Sequence, residues 1–268
     1  MTYHGNPLPC LLTMHGKDSR VTLLHGKDSR VTLLHGKDSR VTFTAKDCRV
    51  TTMDFLPKNI NDYSENHTSP ESDLLVRLNR ETHAKILNSR MLSGHLQGRV
   101  LAMFSFMMRP DRILEIGTYT GYSALCLAEG LTENGKIITI DVNEELEYFT
   151  QSFFNESVYK NKIDYRIGDA AEIIPTLDET FDIVFIDADK MSCQKYYDLV
   201  FDKVRVGGYI ISDNVLWSGK VADIQDDKKI DRDTQNLLDF NKMCQDDPRT
   251  ENILLPIRDG LMICRKIG

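Results

Sequence analysis

Four short apolar runs constrain this chain more than any other feature: I-L-E-I at 113–116, I-I-T-I at 137–140, I-V-F-I at 183–186 and Y-I-I-S at 209–212. Each is continuous rather than alternating, as expected of strands buried on both faces of a parallel sheet. Helical stretches lie between them, and three of the runs stop on an acid or on an acid followed by an amide. The pattern predicts strands over 112–117, 136–141, 163–169, 181–187, 208–213, 253–257 and 261–266. The last two are separated only by Arg258, Asp259 and Gly260, which implies an antiparallel hairpin. The predicted fold is therefore α/β: a Rossmann-like, seven-stranded sheet, mostly parallel with one antiparallel strand, and helices on both faces.

Ahead of the sheet, Ser69, Pro70, Glu71 and Ser72 read as the cap and first turn of a helix. A second amphipathic stretch covers 96–108 and is closed by Pro110 and Asp111. The first 52 residues are different in kind. The decapeptide H-G-K-D-S-R-V-T-L-L begins at His15 and again at His25, recurs with a changed end at His35, and decays after Ala45. A ten-residue unit is shorter than the roughly 20 to 50 residues typical of a solenoid or propeller repeat and offers only a V-T-L-L patch for burial. A small β-stack or a histidine-bearing metal-binding tail is one reading. The preferred one is a low-complexity extension, disordered and dispensable, before a domain at 53–268.

Charge narrows the function. The net formal charge is −7, and the repeats carry eight Lys and Arg against four Asp, so the rest of the chain stands at −11. An acidic body argues against a protein that tracks phosphates, and no nucleic-acid partner is expected. No run approaches the roughly 20 apolar residues of a membrane span, and the N-terminus lacks a secretory pattern, so no membrane partner and a cytoplasmic location are expected. The six cysteines are scattered without a C-x-x-C pair, which suggests free thiols rather than zinc or a disulfide framework.

In an open α/β sheet the ligand sits beyond the carboxyl ends of the strands, so the residues that end each run matter most. The first run ends E-I-G-T-Y-T-G-Y-S, from Glu115 to Ser123. Gly117 and Gly121 let a ligand approach the backbone, the spacing is not G-x-G-x-x-G, and Glu115 disfavours a pyrophosphate while suiting a ligand with a cationic part. Asp141 could accept both hydroxyls of a ribose, and Asp169 with Ala170 suits an adenine edge. Each acid could equally be a helix cap. Asp187 closes D-A-D-K and Asp213 with Asn214 closes S-D-N; on neighbouring strands they form a hard-oxygen site for Mg²⁺ or a similar ion, or else merely cap the following helices.

Taken in order, these segments resemble the cation-dependent O-methyltransferase family that includes caffeoyl-CoA and catechol O-methyltransferases. The resemblance covers about 74–268 and rests on M-L-S-G-H-L-Q-G at 91–98, L-E-I-G-T-Y-T-G-Y-S-A-L, I-T-I-D, G-D-A, F-I-D-A-D-K, S-D-N-V-L-W-S-G-K-V and the terminal D-P-R and D-G-L-M-I-C-R. It implies S-adenosylmethionine as methyl donor and a divalent cation, Mg²⁺ for preference. It places Met91, Ser93, Glu115, Gly117, Tyr122, Ser123, Asp141, Asp169, Ala170 and Asp187 around the cofactor, and Asp187, Asp213 and Asn214 on the metal. Asp189 would lie near the cofactor or metal without necessarily ligating it. Lys190 would face the acceptor hydroxyl as general base, and Trp217 would line the pocket of a small vicinal-diol phenol. A homodimer is implied by the resemblance alone. An ordinary solvated lysine and a packing tryptophan are the plain alternatives for Lys190 and Trp217. A nicotinamide-dependent dehydrogenase and a non-catalytic protein of the same fold are the rival functions, the second because fold alone never proves activity.

Overall fold

The computed structural model describes residues 30–35, 39–44, 57–224 and 230–268. The chain falls into two units, Met1–Thr52 and Met53–Gly268. In the first, strands β1 (Arg30–His35) and β2 (Ser39–Thr44) pair antiparallel, Arg30 opposite Thr44 and His35 opposite Ser39. The sequence led us to expect disorder where these strands stand; the rest of that expectation lies outside the described residues.

The second unit opens with α1 (Lys58–Asn66), a polar helix that buries none of its residues. Helix α2 (Asp73–Lys85) starts after the segment read as its cap and first turn, with Ser72, the last residue of that segment, as the cap. Ser72 accepts a hydrogen bond from the Leu75 amide, Asp73 stands in the first turn, and His83 and Lys85 stand in the last, all in the sense that the helix dipole favours. Leu75, Leu78 and Thr82 form its buried stripe. Helix α3 (Gly94–Met108) buries Gln97, Gly98, Leu101, Ala102 and Ser105.

The sheet follows as β3 (Arg112–Ile116), β4 (Lys136–Asp141), β5 (Ile163–Ile167), β6 (Phe181–Ile186), β7 (Val204–Asp213), β8 (Thr250–Leu255) and β9 (Leu261–Lys266). Its order is β5-β4-β3-β6-β7-β9-β8, parallel throughout except that β9 runs against both of its neighbours. That is the expected fold, with the reversed strand where the short 258–260 connection demanded it.

Helices α4 (Tyr122–Ala128), α5 (Glu147–Glu156), α6 (Ala170–Ile173), α7 (Cys193–Phe201) and α8 (Arg232–Asp246) complete the two faces. Each central strand feeds both layers of the core: Leu114 and Ile116 of β3 join one apolar cluster, Ile113 joins the other, and β4 and β6 divide likewise. This two-sided burial explains why the runs in the sequence are continuous. Among the described residues no helix is long and apolar enough to cross a membrane. The strand order reverses between β3 and β6, and the crevice at their carboxyl ends is where such a sheet binds ligands.

Candidate active site

Strand register decides which side chains meet. Ile186 of β6 pairs with Ser212 of β7 in parallel, so the next residues, Asp187 and Asp213, emerge side by side. Asn214 follows with a left-handed backbone, φ 60°, a conformation that asparagine tolerates better than most residues. Asp213 is 4% exposed, and both of its oxygens are engaged: Oδ1 accepts from the Asn214 amide at 2.6 Å and Oδ2 from Gln97 Nε2 of α3 at 2.6 Å. Gln97 is itself buried, and its Oε1 has no hydrogen-bond partner.

Lys190 reaches this group of oxygens. Its ammonium donates to Asn214 Oδ1 at 2.5 Å and to the Ala188 carbonyl at 3.1 Å, and lies 4.0 Å from Asp187 Oδ1. With 13% of its side chain exposed, it is no ordinary solvated lysine. Burial, with the nearby Asp213 charge as the second cause, pushes the Asp187 carboxyl up to about 7. One carboxylate oxygen and an amide oxygen thus gather around one positive charge, with the Asp213 carboxylate on the neighbouring strand end. The donor set is hard oxygen, as Mg²⁺ prefers. Among the described residues no group of three or more His, Cys, Asp or Glu side chains could hold a metal ion, so a cation site here depends on the amide of Asn214 as its third donor.

The neighbouring strand ends form a second, contiguous patch. Gly117 follows β3 at φ 100°, and a Cβ there would lie 2.0 Å from the Asp187 carbonyl oxygen; only glycine permits β3 and β6 to end this close together. Asp141 ends β4 and holds the loop above Gly117, accepting from the Tyr119 amide at 2.6 Å and the Asn143 amide at 2.8 Å. Each carboxylate oxygen keeps a lone pair for a ligand hydroxyl. Asp169 caps α6 through the Ala171 amide at 2.8 Å, and Ala170 is buried beside it. The capping alternative is therefore a fact for Asp169, and it leaves the second carboxylate oxygen available.

Other expected residues are spread more widely. Ser93 is buried and Met91 is 56% exposed, both on the segment that leads into α3. Ser123 is buried at the start of α4. The Tyr122 ring packs beneath Gly98 of α3, and its hydroxyl donates to Glu71, so its side chain is committed away from the strand ends. Asp189 is exposed. Trp217 follows Asn214 closely with φ 50°; its indole N–H is buried without a partner, and the Lys220 ammonium lies 5.4 Å from the ring centroid. Gln97 and Arg258 carried no expected role, although both touch this region.

Glu115 is wholly buried in β3 and accepts from Thr139 Oγ1 at 2.5 Å. Desolvation pushes its carboxyl up to about 8, against the hydrogen bonding of Ser123 and Thr139, which favours the charged form. The unfolded chain ionises it near 4.5, so the folded state holds the extra proton between those values. Stability therefore falls as pH rises through that window, and the full cost is present above about 8. Glu115→Gln, without ligand, is expected to raise the melting temperature at pH 8.5 by about 5 °C or more and to lose that advantage by pH 5. Thermal denaturation at the two pH values checks this; an equal effect at both would show that Glu115 is not held neutral.

Comparison with known proteins shows the family and the fold. Residues 65–267 match the O-methyltransferase family. Caffeoyl-CoA O-methyltransferase 1 of Arabidopsis thaliana is 36% identical over 201 residues, covering 70% of this chain and 76% of the relative. Tricin synthase 1 of Oryza sativa subsp. japonica is 34% identical over 189 residues, covering 66% and 75%. Among solved structures, the SAH-bound Podospora anserina methyltransferase PaMTH1 superposes with a TM-score of 0.72 at 26% identity, over 80% of this chain and 98% of that one. The Bacillus cereus O-methyltransferase in complex with SAH gives 0.70 at 27% identity, over 78% and 97%.

Proposed function

The chain belongs to the O-methyltransferase family and is an S-adenosylmethionine-dependent O-methyltransferase; from that premise we propose that its acceptor is a small phenol with two adjacent hydroxyls. In this reading both hydroxyls sit on a divalent cation held by Asp187, Asp213 and Asn214. The observation that carries it is the Lys190 ammonium drawn in among the Asp187 and Asn214 oxygens, a position that already selects for positive charge.

When bound, the cation would lower the pKa of a chelated hydroxyl and S-adenosylmethionine would present an electrophilic methyl group. The protein's own residues supply the rest. Lys190 exchanges Asn214 for the acceptor hydroxyl and stands where it can take that hydroxyl's proton. Gln97 fixes the Asp213 carboxylate from behind, as the hydrogen-bonded supports of metal ligands do. Asp141 offers a carboxylate to the ribose of the cofactor, a bound ammonium near Glu115 would favour that residue's charged form, and Gly117 keeps the backbone out of the way. Trp217 provides a flat apolar wall for an aromatic acceptor. Relatives named for caffeoyl-CoA support an acceptor bearing vicinal hydroxyls, since the caffeoyl ring carries two.

Methyl transfer from S-adenosylmethionine to a panel of catechols and caffeoyl thioesters, with Mg²⁺ and then after EDTA, tests this reading. Turnover is expected with Mg²⁺ and is expected to fall to background with EDTA, returning on re-addition of metal. Turnover that survives EDTA would reject chelation as the way the acceptor binds.

A further inference from the structure

The turn between β8 and β9 faces two segments at once. On one side the Arg258 guanidinium donates from Nη1 to the Leu92 carbonyl at 2.6 Å and to the Ser93 carbonyl, and from Nη2 to the Arg90 carbonyl at 3.3 Å. On the other, Asp259 accepts from the Leu216 amide through its carbonyl at 2.8 Å and from the Ser218 amide through its carboxylate, while the Gly260 carbonyl accepts from the Val215 amide at 3.2 Å. The turn therefore joins the chain before α3, some 165 residues away in sequence, to the stretch that follows Asn214.

We propose that Arg258 is a positioning residue for methyl transfer: its guanidinium holds the backbone of residues 90–93 in place beside the strand ends, and through Asp259 and Gly260 ties that segment to the wall at 215–218. The inference rests on the reading that Met91 and Ser93 flank the cofactor and Trp217 the acceptor.

Three observations support it. First, one planar, permanently charged fork engages three consecutive-turn carbonyls, a geometry that a single ammonium cannot reproduce. Second, Leu92 and Ser93 are both 4% exposed, so their carbonyls have little access to water and lose their donor if the fork is removed. Third, Arg258 sits at φ 49°, a left-handed backbone that costs any residue with a Cβ and would suit glycine better. A strained arginine at that place is accounted for by what its side chain holds. The short helical turn at Ser89–Met91, with Met91 and Leu92 amides bonded only to Asn88 and Ser89 carbonyls, has few other restraints.

The strain also supplies the test. In Arg258→Gly the left-handed backbone is relieved while the unfolded chain becomes freer, and the two nearly cancel. The Leu92 and Ser93 carbonyls lose their donor, so the melting temperature of the full chain is expected to fall by several degrees, and binding and exchange are read well below it, where the variant is fully folded. Binding of S-adenosylhomocysteine, followed by calorimetry, is expected to weaken about tenfold, the worth of a charge-assisted hydrogen bond or two. Hydrogen exchange at the Met91 and Leu92 amides, measured without ligand, is expected to accelerate. Arg258→Lys is expected to recover part of both losses. Wild-type binding and exchange in Arg258→Gly would overturn the proposal, as would a binding loss that disappears at temperatures where the variant is fully folded. If the wild-type protein itself fails to bind S-adenosylhomocysteine, the cofactor reading fails, and the exchange measurement alone still decides whether Arg258 holds the segment.

Discussion

Asp213→Ala is expected to reduce methyl transfer by about a thousandfold or more, the several kcal/mol that a bound cation contributes to stabilising an ionised acceptor oxygen. Asp213 supplies one of only two carboxylates among the three proposed donors, and it is the one held on both oxygens, by the Asn214 amide and by Gln97. Its removal releases both constraints: the Asn214 backbone amide loses its acceptor, and Gln97 is left buried with neither end of its amide satisfied. The second effect costs about 1–3 kcal/mol of stability by itself. Asp213→Asn separates the two, because an amide oxygen still accepts from Gln97 while the charge is gone. The asparagine variant should fold like the wild type yet require far more Mg²⁺ for whatever turnover remains. Steady-state rates across a Mg²⁺ titration read this out. Near-normal rates at ordinary Mg²⁺ in both variants would remove Asp213 from the cation site.

The strand ends were legible in the sequence because burial on both faces forces a run of apolar residues and the first polar residue marks where the sheet stops. Asp141, Asp187 and Asp213 were found by that rule alone. Boundaries were less legible where backbone chemistry competes. Strand β7 begins at Val204 rather than 208, because Val204 already pairs with Phe181 ahead of a register shift, and continuous pairing resumes with Tyr209 opposite Ile183. Strand β8 ends at Leu255 rather than 257, because Pro256 has no N–H to donate to the ladder. Helix α1 was missed: Ile60 and Tyr63 are its only large apolar side chains, both exposed, too few to mark a nine-residue helix. Gln97 and Arg258 were illegible for another reason. Gln97 lies 116 residues from the carboxylate it supports and Arg258 lies 165 from the Ser93 carbonyl it holds, and neither pairing leaves any local pattern. A glutamine on the buried stripe of α3, where its amide needs a partner, was the one available hint.

Lys190→Met is expected to slow methyl transfer by about a hundredfold to ten-thousandfold, the range for a positioned general base, and at the same time to tighten binding of the divalent cation. The second expectation follows from where the ammonium sits. In the absence of metal it neutralises the pocket, at 2.5 Å from Asn214 Oδ1 and 4.0 Å from Asp187 Oδ1, and a cation must displace it to reach those oxygens. Methionine fills a similar volume without charge or donor, so the carboxylates face each other uncompensated until metal arrives. A lysine that merely stabilises the fold would, when removed, weaken metal binding and activity together. A competing ammonium that is also the base gives opposite signs, tighter metal and slower turnover. Calorimetric titration with Mn²⁺ alongside rates at saturating metal distinguishes them. The pH dependence adds a further constraint: any limb of the wild-type rate that rises with pH and depends on Lys190 should vanish in Lys190→Met. If the variant keeps both the rate and the limb, the chelated hydroxyl ionises without help from the protein, and Lys190 is a resident counter-ion rather than a base.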